Sequence, residues 1–543
     1  MPTLPGADSE RAPWAGTVTR TEFELRALLF YALATAAAPL VDVLMAGRPR
    51  AQASLDGFVQ VVVAGLLLVH VLPHAVADAG LAAILTFVGG AGVAALAHRL
   101  PGGERGALGL SGVALVAHGL SDGASLALPG DGGAALTEAV VLHTLPLALA
   151  IWRVARSRGG AGWAAFALAL SVGATVAGFA ASDAVLSGSS PVTLALAQCG
   201  AAGALLHVLG HLGHHTGGGP RGGLPSGVGA LVGLAVVVAL DPANHGHVAA
   251  DESGLGASMV RLAARAAPAL VAAYVAAALV QVLGRHDQPW INPATRRWLP
   301  FVRQVAAPLG PVAVLVSAAL FGWVFVLVSA GVSVVAALVA APSARRSAAD
   351  RAPHRHEAWV LEALGSVVAP TAPGLLAGLG LAALILAHVP AGSLEAAGLL
   401  GAGIGAVLLG GPIPLGTAGA ALVAFALVQA GLSAGGALVV VLVAPAARAS
   451  ALRALWGEFG GRAVAVWLLA VAAGAAVAGL TVDGLSAVSA PDGLAGGPIS
   501  VVERVSIGVV AALLLTLLVG RGPARFFEPD PTPDHPETGG ETT

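Results

Sequence analysis

Residues 107–128 read ALGLSGVALVAHGLSDGASLAL, an apolar run without Lys or Arg that contains a single acidic side chain. About 20 such residues in a helix cross the hydrocarbon core of a bilayer. The run therefore predicts a transmembrane helix. Within it, His118 and Asp122 are polar groups that apolar surroundings penalise, so this helix is also where a function is expected.

The composition of the whole chain is typical of a membrane protein. Of its 543 residues, 57% are hydrophobic and 10% are charged, whereas soluble globular domains carry roughly 25% charged residues. The formal net charge is −2, and the sequence shows no clustered basic face of the kind that binds nucleic acid. The lipid bilayer is therefore an expected partner, and nucleic acid is not.

The first half of the chain contains eight apolar stretches that are long enough to span a membrane. They cover residues 24–46, 57–77, 79–98, 107–128, 134–153, 161–183, 190–212 and 226–241. We expect residues 21–241 to form one eight-helix membrane domain after a disordered N-terminus at 1–20. The polar stretch that follows, 242–257, predicts an extracytoplasmic linker.

Basic residues orient these helices, because cytoplasmic loops are enriched in Arg and Lys. The loops after the even-numbered helices carry Asp and no Arg, whereas those after the odd-numbered helices carry Arg48, Arg50, Arg99, Arg105, Arg156, Arg158 and Arg221. The pattern predicts a multi-pass protein of the cytoplasmic (inner) membrane with its N-terminus outside. The C-terminus is expected in the cytoplasm.

The second half, residues 258–525, contains further apolar stretches and an internal repeat. Segments that end in PSARRS at 347 and PAARAS at 450 share the pattern P-x-A-R-x-S. Repeats of this kind are typical of transporters, whose substrate path lies near the repeat interface. The chain is thus predicted to be an all-α polytopic transmembrane helical bundle of about 14–16 crossings in two halves, with a disordered acidic tail at 526–543.

His118 and Asp122 project from one face of their helix, because they are four positions apart. The next helix carries His143, and the short connection around 129–133 makes the two helices antiparallel neighbours. The three side chains are therefore predicted to meet around one cation. A hydrogen-bonded polar pair that joins two helices, and a proton relay without metal, stay open as alternatives.

Histidines on neighbouring helices extend this site across the bilayer. His70 and His74 on helix two form a predicted outer approach, and His207 and His211 on helix seven form a predicted cytoplasmic exit. Imidazole and carboxylate ligands suit zinc, iron(II), cobalt and nickel, and also manganese. The single cysteine, Cys199, excludes an intramolecular disulfide and a Cys-based metal cage.

These motifs resemble the ZIP family of divalent metal transporters over residues 21–241. The resemblance is carried by HxLPH on helix two, HxxxDG on helix four and HxxP on helix five. In that family, polar residues of the fourth and fifth helices form a metal site at mid-membrane, often a binuclear one. The resemblance assigns His118, Asp122 and Gly123, together with His143 and Pro146, to such a site.

Three positions depart from the ZIP pattern. Gly119 stands where the family has Asn, Thr144 where it has Glu, and Leu147 where it has a second His or Glu. The resemblance therefore implies at most one cation in the core, held by three side chains with water, backbone or a neighbouring helix. A degenerate relative that has lost transport stays open as an alternative.

The second half resembles, with lower specificity, a two-repeat permease family that includes organoarsenical exporters. Pro414 and Leu415 fit a C-x-C-G-x-x-P-L-like motif of that family, but this half contains no Cys. Thiolate binding of arsenic is therefore not expected. The broken apolar run around Gly410, Gly411, Pro412 and Pro414 predicts a discontinuous helix.

The preferred function is passage of a divalent cation of the zinc, iron or manganese class, zinc first, through the ZIP-like bundle. The metal is the substrate, and no organic cofactor is expected. Assembly as a homodimer stays an open alternative. The chain is not expected to be an enzyme, because no nucleophile stands beside a base and no HExxH helix is present. One alternative is a permease whose C-terminal half exports a small solute and whose N-terminal half is regulatory or degenerate. The other is a non-transporting membrane scaffold or metal sensor.

Overall fold

The computed structural model describes residues 20–99, 103–127, 131–182, 190–210, 223–239, 254–283, 301, 305, 310–344, 360–413, 415–485 and 499–527. Among these residues the regular structure is helical and contains no strand. The helices are α1 (Arg20–Met45), α2 (Pro49–Leu66), a π-helical turn (Leu67–Val71), α3 (Leu72–Ala79), α4 (Leu81–Arg99), α5 (Gly103–Leu126), α6 (Asp131–Ala180), α7 (Pro191–Gly210), α8 (Gly223–Ala239), α9 (Leu255–Leu283), α10 (Pro311–Phe321), α11 (Trp323–Ala340), a 3-10 turn (Ala341–Ser343), α12 (Val360–His388), α13 (Gly398–Gly410), α14 (Thr417–Gln429), α15 (Ala434–Ala446), α16 (Ala449–Phe459), α17 (Gly461–Leu485) and α18 (Val501–Phe527).

Eight spans in the described residues are long and apolar enough to cross a membrane. They are Ala27–Met45, Pro49–Ala79, His143–Ala180, Leu255–Leu279, Trp323–Ser343, Leu364–His388, Gly461–Gly484 and Val501–Pro523. The pair α15 and α16, bent by 58°, would be a ninth if it is one broken span, and the described residues also contain shorter apolar helices of 10–17 residues. The predicted number of about 14–16 crossings stays a prediction. The prediction of an all-α, multi-pass membrane bundle is confirmed.

The chain divides into two compact units. Unit 1 comprises Met1–Leu44 and Gly119–Gly188, and unit 2 comprises Met45–His118 and Ser189–Thr543. Unit 2 thus contains helices from both sides of the predicted linker. Most of that linker lies outside the described residues, and so do the two predicted tails apart from their innermost residues.

Unit 1 is built on α1 and on α6, a helix of 50 residues that breaks at Gly160. Gly160 has a φ of 75°, which glycine adopts without the clash that a Cβ would cause. The break divides α6 into two arms, and it falls between the predicted fifth and sixth helices. The apolar core of this unit contains Ala27, Tyr31, Leu126 and Val140.

An ion-pair cluster joins the end of α1 to the first arm of α6. The Asp42 carboxylate accepts hydrogen bonds from Arg153 Nε and Trp152 Nε1, each at 3.1 Å, and from Arg156 Nη1 at 2.6 Å. Asp42 is 9% exposed, and these charge-assisted bonds offset the desolvation of its charge. The cluster holds the last turns of α1 at the level of residues 152–156.

We expect Asp42→Asn to lower the free energy of unfolding by about 2 kcal/mol, because two guanidinium groups lose their counter-charge and only that of Arg153 is largely shielded from solvent, whereas Arg156 is exposed. Thermal or denaturant unfolding of the purified protein in detergent measures the change. Asp78→Asn, at an exposed position of α3, is the matched control and should change stability by less than about 0.5 kcal/mol. Equal stability of the two variants would show that the cluster does not hold α1.

Unit 2 packs its helices through small residues, as membrane bundles do. Helices α4 and α7 approach so closely that a Cβ on Gly90 or Gly203 would collide with backbone of the other helix. In the second half, α13 ends at Gly410 and α14 begins at Thr417. The apolar run predicted to be discontinuous therefore breaks between these two helices, although Pro414 itself lies outside the described residues.

Candidate metal site

The three side chains that the sequence predicts around one cation lie together. His118 and Asp122 are one turn apart on α5, and His143 lies on the first arm of α6. One ligand atom from each side chain lies within 4.8 Å of the other two. Asp122 and His143 belong to unit 1. His118 is the last residue of unit 2 before unit 1 resumes at Gly119, and it lies on the same helix, α5, as Asp122.

The site is shielded from solvent. His118 and Asp122 are 7% and 6% exposed as residues, and the His143 side chain is 13% exposed. Burial of ionisable groups in an apolar bundle is costly unless they are paired or bind an ion. These three groups therefore need a partner, either one another or a cation.

The distance between His143 Nε2 and Asp122 Oδ2 is 3.2 Å. Zinc binds imidazole nitrogen and carboxylate oxygen at about 2.0–2.2 Å in a tetrahedron, which sets two ligand atoms roughly 3.4 Å apart. An N–H···O hydrogen bond extends to about 3.2 Å. The observed spacing thus accommodates either a proton between the two groups or a metal ion that both of them bind.

Hydroxyl groups of unit 1 lie next to α5 in positions that the sequence interpretation missed. The Tyr31 hydroxyl is 3.1 Å from Ser171 Oγ, and Thr175 Oγ1 donates a hydrogen bond to the Ser171 carbonyl at 3.1 Å. All three residues are at most 2% exposed. Isolated Ser, Thr and Tyr are common in apolar helices, so the sequence offered no signal that separated these three from the rest.

Two glycines allow α5 to approach the second arm of α6. A Cβ on Gly119 would lie 2.9 Å from the Ala174 Cβ, and a Cβ on Gly123 would lie 2.6 Å from the Phe179 nitrogen and collide with the Thr175 carbonyl oxygen. Glycines four positions apart are a common way for membrane helices to pack closely. The spacing of these two glycines was a usable signal for this contact.

The helix contact explains one departure from the ZIP pattern. Asn at position 119 would need space that the second arm of α6 occupies. At the other two departures, the Thr144 hydroxyl donates to the Val140 carbonyl at 2.6 Å, and Leu147 is an apolar residue that is 4% exposed. Neither position offers a metal ligand of the kind that the family places there.

The described three-residue cluster does not include the other predicted ligands. His70 belongs to the π-helical turn Leu67–Val71, a distortion that is frequent at functional sites. His74 is exposed on α3, and His207 is partly buried on α7. His211 lies outside the described residues, so its role as a cytoplasmic exit stays a prediction.

In comparisons with known proteins, no protein-family model, curated protein or solved structure matches the chain. The resemblances to the ZIP family and to the two-repeat permeases therefore rest on their motifs alone.

Proposed function

We propose that the bundle around α5 and α6 passes a divalent metal cation, with zinc as the first candidate, across the cytoplasmic membrane. The observation that carries this proposal is the cluster of two imidazoles and one carboxylate within 4.8 Å of one another in a multi-pass membrane protein. Ionisable groups inside membrane helices are costly and commonly mark ion pathways. This ligand set suits borderline divalent metals.

The ligand number favours transfer over permanent storage. Structural zinc sites use four protein ligands, whereas sites with three protein ligands keep a position open for water or another group. A single carboxylate also leaves a bound divalent ion with uncompensated positive charge. We expect such an ion to exchange readily, and we propose His70 and His74 on the outer side and His207 and His211 on the cytoplasmic side as its approaches.

The proposed orientation has the N-terminus outside and the C-terminus in the cytoplasm, following the Arg-rich loops. Resemblance to ZIP transporters implies movement toward the cytoplasm. No P-loop motif for ATP binding is present in the sequence, so a gradient or a partner protein drives transport in this proposal.

A second candidate function is a non-transporting scaffold. The 3.2 Å contact between His143 and Asp122 favours it, because a direct hydrogen bond would satisfy both groups and join α5 to α6. The two functions differ in what the negative charge of Asp122 does. A scaffold needs a hydrogen-bond acceptor at this position, whereas a cation site needs the charge.

Zinc uptake into proteoliposomes separates these two functions. Asp122→Asn keeps an acceptor oxygen of nearly the same shape but removes the charge, so we expect at least about tenfold slower uptake, which corresponds to about 1.4 kcal/mol, at an unchanged unfolding midpoint. Asp78→Asn is the charge-matched control and should transport normally. Uptake by Asp122→Asn at the rate of the unmodified protein would contradict the proposal.

The same assay tests the histidines through pH. Only neutral imidazole binds metal, and an ordinary imidazole has a pKa of about 6.5, so protons compete with the cation in acid. Uptake should be full near pH 7.5 and should fall by at least about tenfold by pH 5.5. Protein-free liposomes at each pH show how much zinc enters by leakage. An uptake rate that does not change over this pH interval would argue against histidine ligands.

A further inference from the structure

A pair of histidines outside the three-residue cluster lies in unit 2, where α3 contacts α12. His74 is exposed on α3, and His388 is the partly buried last residue of α12. The two imidazoles are close enough for their charges to interact. Helix α3 belongs to the first half of the sequence and α12 to the second, so this pair connects the two halves.

The charges of the flanking segments place both histidines toward the same side of the membrane. The segment before α12 carries four arginines, Arg345, Arg346, Arg351 and Arg355. Segments rich in arginine are typically cytoplasmic. Because α12 is long and apolar enough to cross a membrane, its end at His388 is expected outside. The loop after α3 is predicted outside by the same rule, which agrees with the contact between the two helices.

A hydrogen bond fixes which nitrogen of His388 can bind a metal. His388 Nδ1 is 3.2 Å from the Leu384 carbonyl oxygen, and a carbonyl oxygen only accepts, so Nδ1 is the donor in this bond. A neutral imidazole with its proton on Nδ1 has its lone pair on Nε2. Histidines that bind metals commonly donate their other ring N–H to a carbonyl or carboxylate in this way.

The pair supplies two protein ligands to an ion. Among the described residues, three ligand groups meet only in the cluster of His118, Asp122 and His143. Water would therefore complete the coordination of an ion between His74 and His388. We expect such an ion to bind more weakly and to exchange faster than one in the central cluster.

We infer that His74 and His388 together bind one divalent cation of the zinc class, with water as its other ligands. Imidazole nitrogen suits zinc, copper and nickel. His74 is exposed, so an ion reaches the pair without rearrangement of the helices. This binding does not depend on the proposed metal transport, and only a role of the pair as the outer approach to the central site rests on that proposal.

The test is an equilibrium zinc titration of the full-length protein in detergent. Every sample carries His118→Ala and His143→Ala, so the central site is absent and cannot mask a weaker one. We expect His74→Gln and His388→Gln each to weaken the binding of one zinc ion by at least about tenfold, because even the loss of an outer partner of a metal ligand commonly costs that much. Glutamine at 388 keeps a donor for the Leu384 carbonyl but has no imidazole.

A cycle of variants shows whether the two histidines share one ion. The double variant His74→Gln, His388→Gln should bind zinc little more weakly than either single variant, because the first substitution already breaks a shared site. His535→Ala, which removes one imidazole from the C-terminal tail, is the matched control and should bind zinc as the background does. Unfolding midpoints measured without zinc should be the same for all of these variants.

Unchanged zinc binding in either single variant would overturn the inference. So would losses in affinity that add up in the double variant, because additive losses mean that the two histidines bind different ions. A midpoint that falls in both single variants without zinc, at unchanged zinc binding, would assign the pair to helix packing. Since the central site is absent from every sample, failure of the transport proposal leaves this result unaffected.

Discussion

Purified protein with His118→Ala and His143→Ala is expected to retain about one tenth or less of the zinc that the unmodified protein binds under the same loading conditions. The double variant removes two of the three ligands and leaves only the Asp122 carboxylate, which by itself holds a borderline metal weakly. Elemental analysis after gel filtration measures the stoichiometry, and a competition titration measures the dissociation constant. We expect at least about a hundredfold loss of affinity.

A matched control removes the same number of imidazoles elsewhere. His245 and His247 lie in the predicted linker. The double variant His245→Ala, His247→Ala should bind as much zinc as the unmodified protein. Zinc retained by the His118 and His143 double variant at full stoichiometry would place the metal somewhere else in the chain. Zinc absent from the unmodified protein at micromolar loading would favour the scaffold.

Gly123→Ala is expected to destabilise the protein by about 3 kcal/mol, the largest change in stability that we predict. The added Cβ would collide with the Thr175 carbonyl oxygen and would lie 2.6 Å from the Phe179 nitrogen. Backbone atoms of a helix cannot move aside as the end of a flexible side chain can, so α5 has to separate from the second arm of α6. The unfolding midpoint in detergent should fall, and the metal site should loosen with it.

Gly112→Ala is the control on the same helix, because a Cβ at this position meets no atom within 4 Å. Alanine is a better helix former than glycine, so this variant should gain about 0.5–1 kcal/mol. Opposite signs for the two substitutions are the expected result. A tolerated alanine at 123 would mean that α5 and α6 are farther apart than described.

The core of the candidate site was predictable from the sequence because it depends on local geometry. Four positions separate His118 from Asp122, and this spacing alone puts both side chains on one face of any helix. His143 follows on the next span after a short connection, which favours an antiparallel neighbour. The 4.8 Å cluster of the three ligand atoms agrees with that expectation.

The packing around the site was not predictable in the same way. Ser171 and Thr175 reach α5 only because α6 turns at Gly160 and its second arm returns along the glycine face of α5. Ala- and Val-rich helices present similar surfaces on all sides, so hydropathy does not tell which pairs of helices touch. Small residues decide the contacts in a membrane bundle, through how closely two backbones can approach.

By itself, the sequence determined that this protein is an all-α, multi-pass membrane bundle, because about 20 apolar residues in a row have few stable alternatives to a spanning helix. It also determined which ionisable groups stand within apolar stretches of the chain. Only the tertiary structure decided how the helices sort into two compact units, and that the second arm of α6 occupies the space that a side chain at position 119 would need. The physical reason is that each helix crosses the membrane because its own apolar residues are stable in lipid, and composition shows this. Contacts between helices depend on the shape of single residues, and apolar composition does not specify that shape.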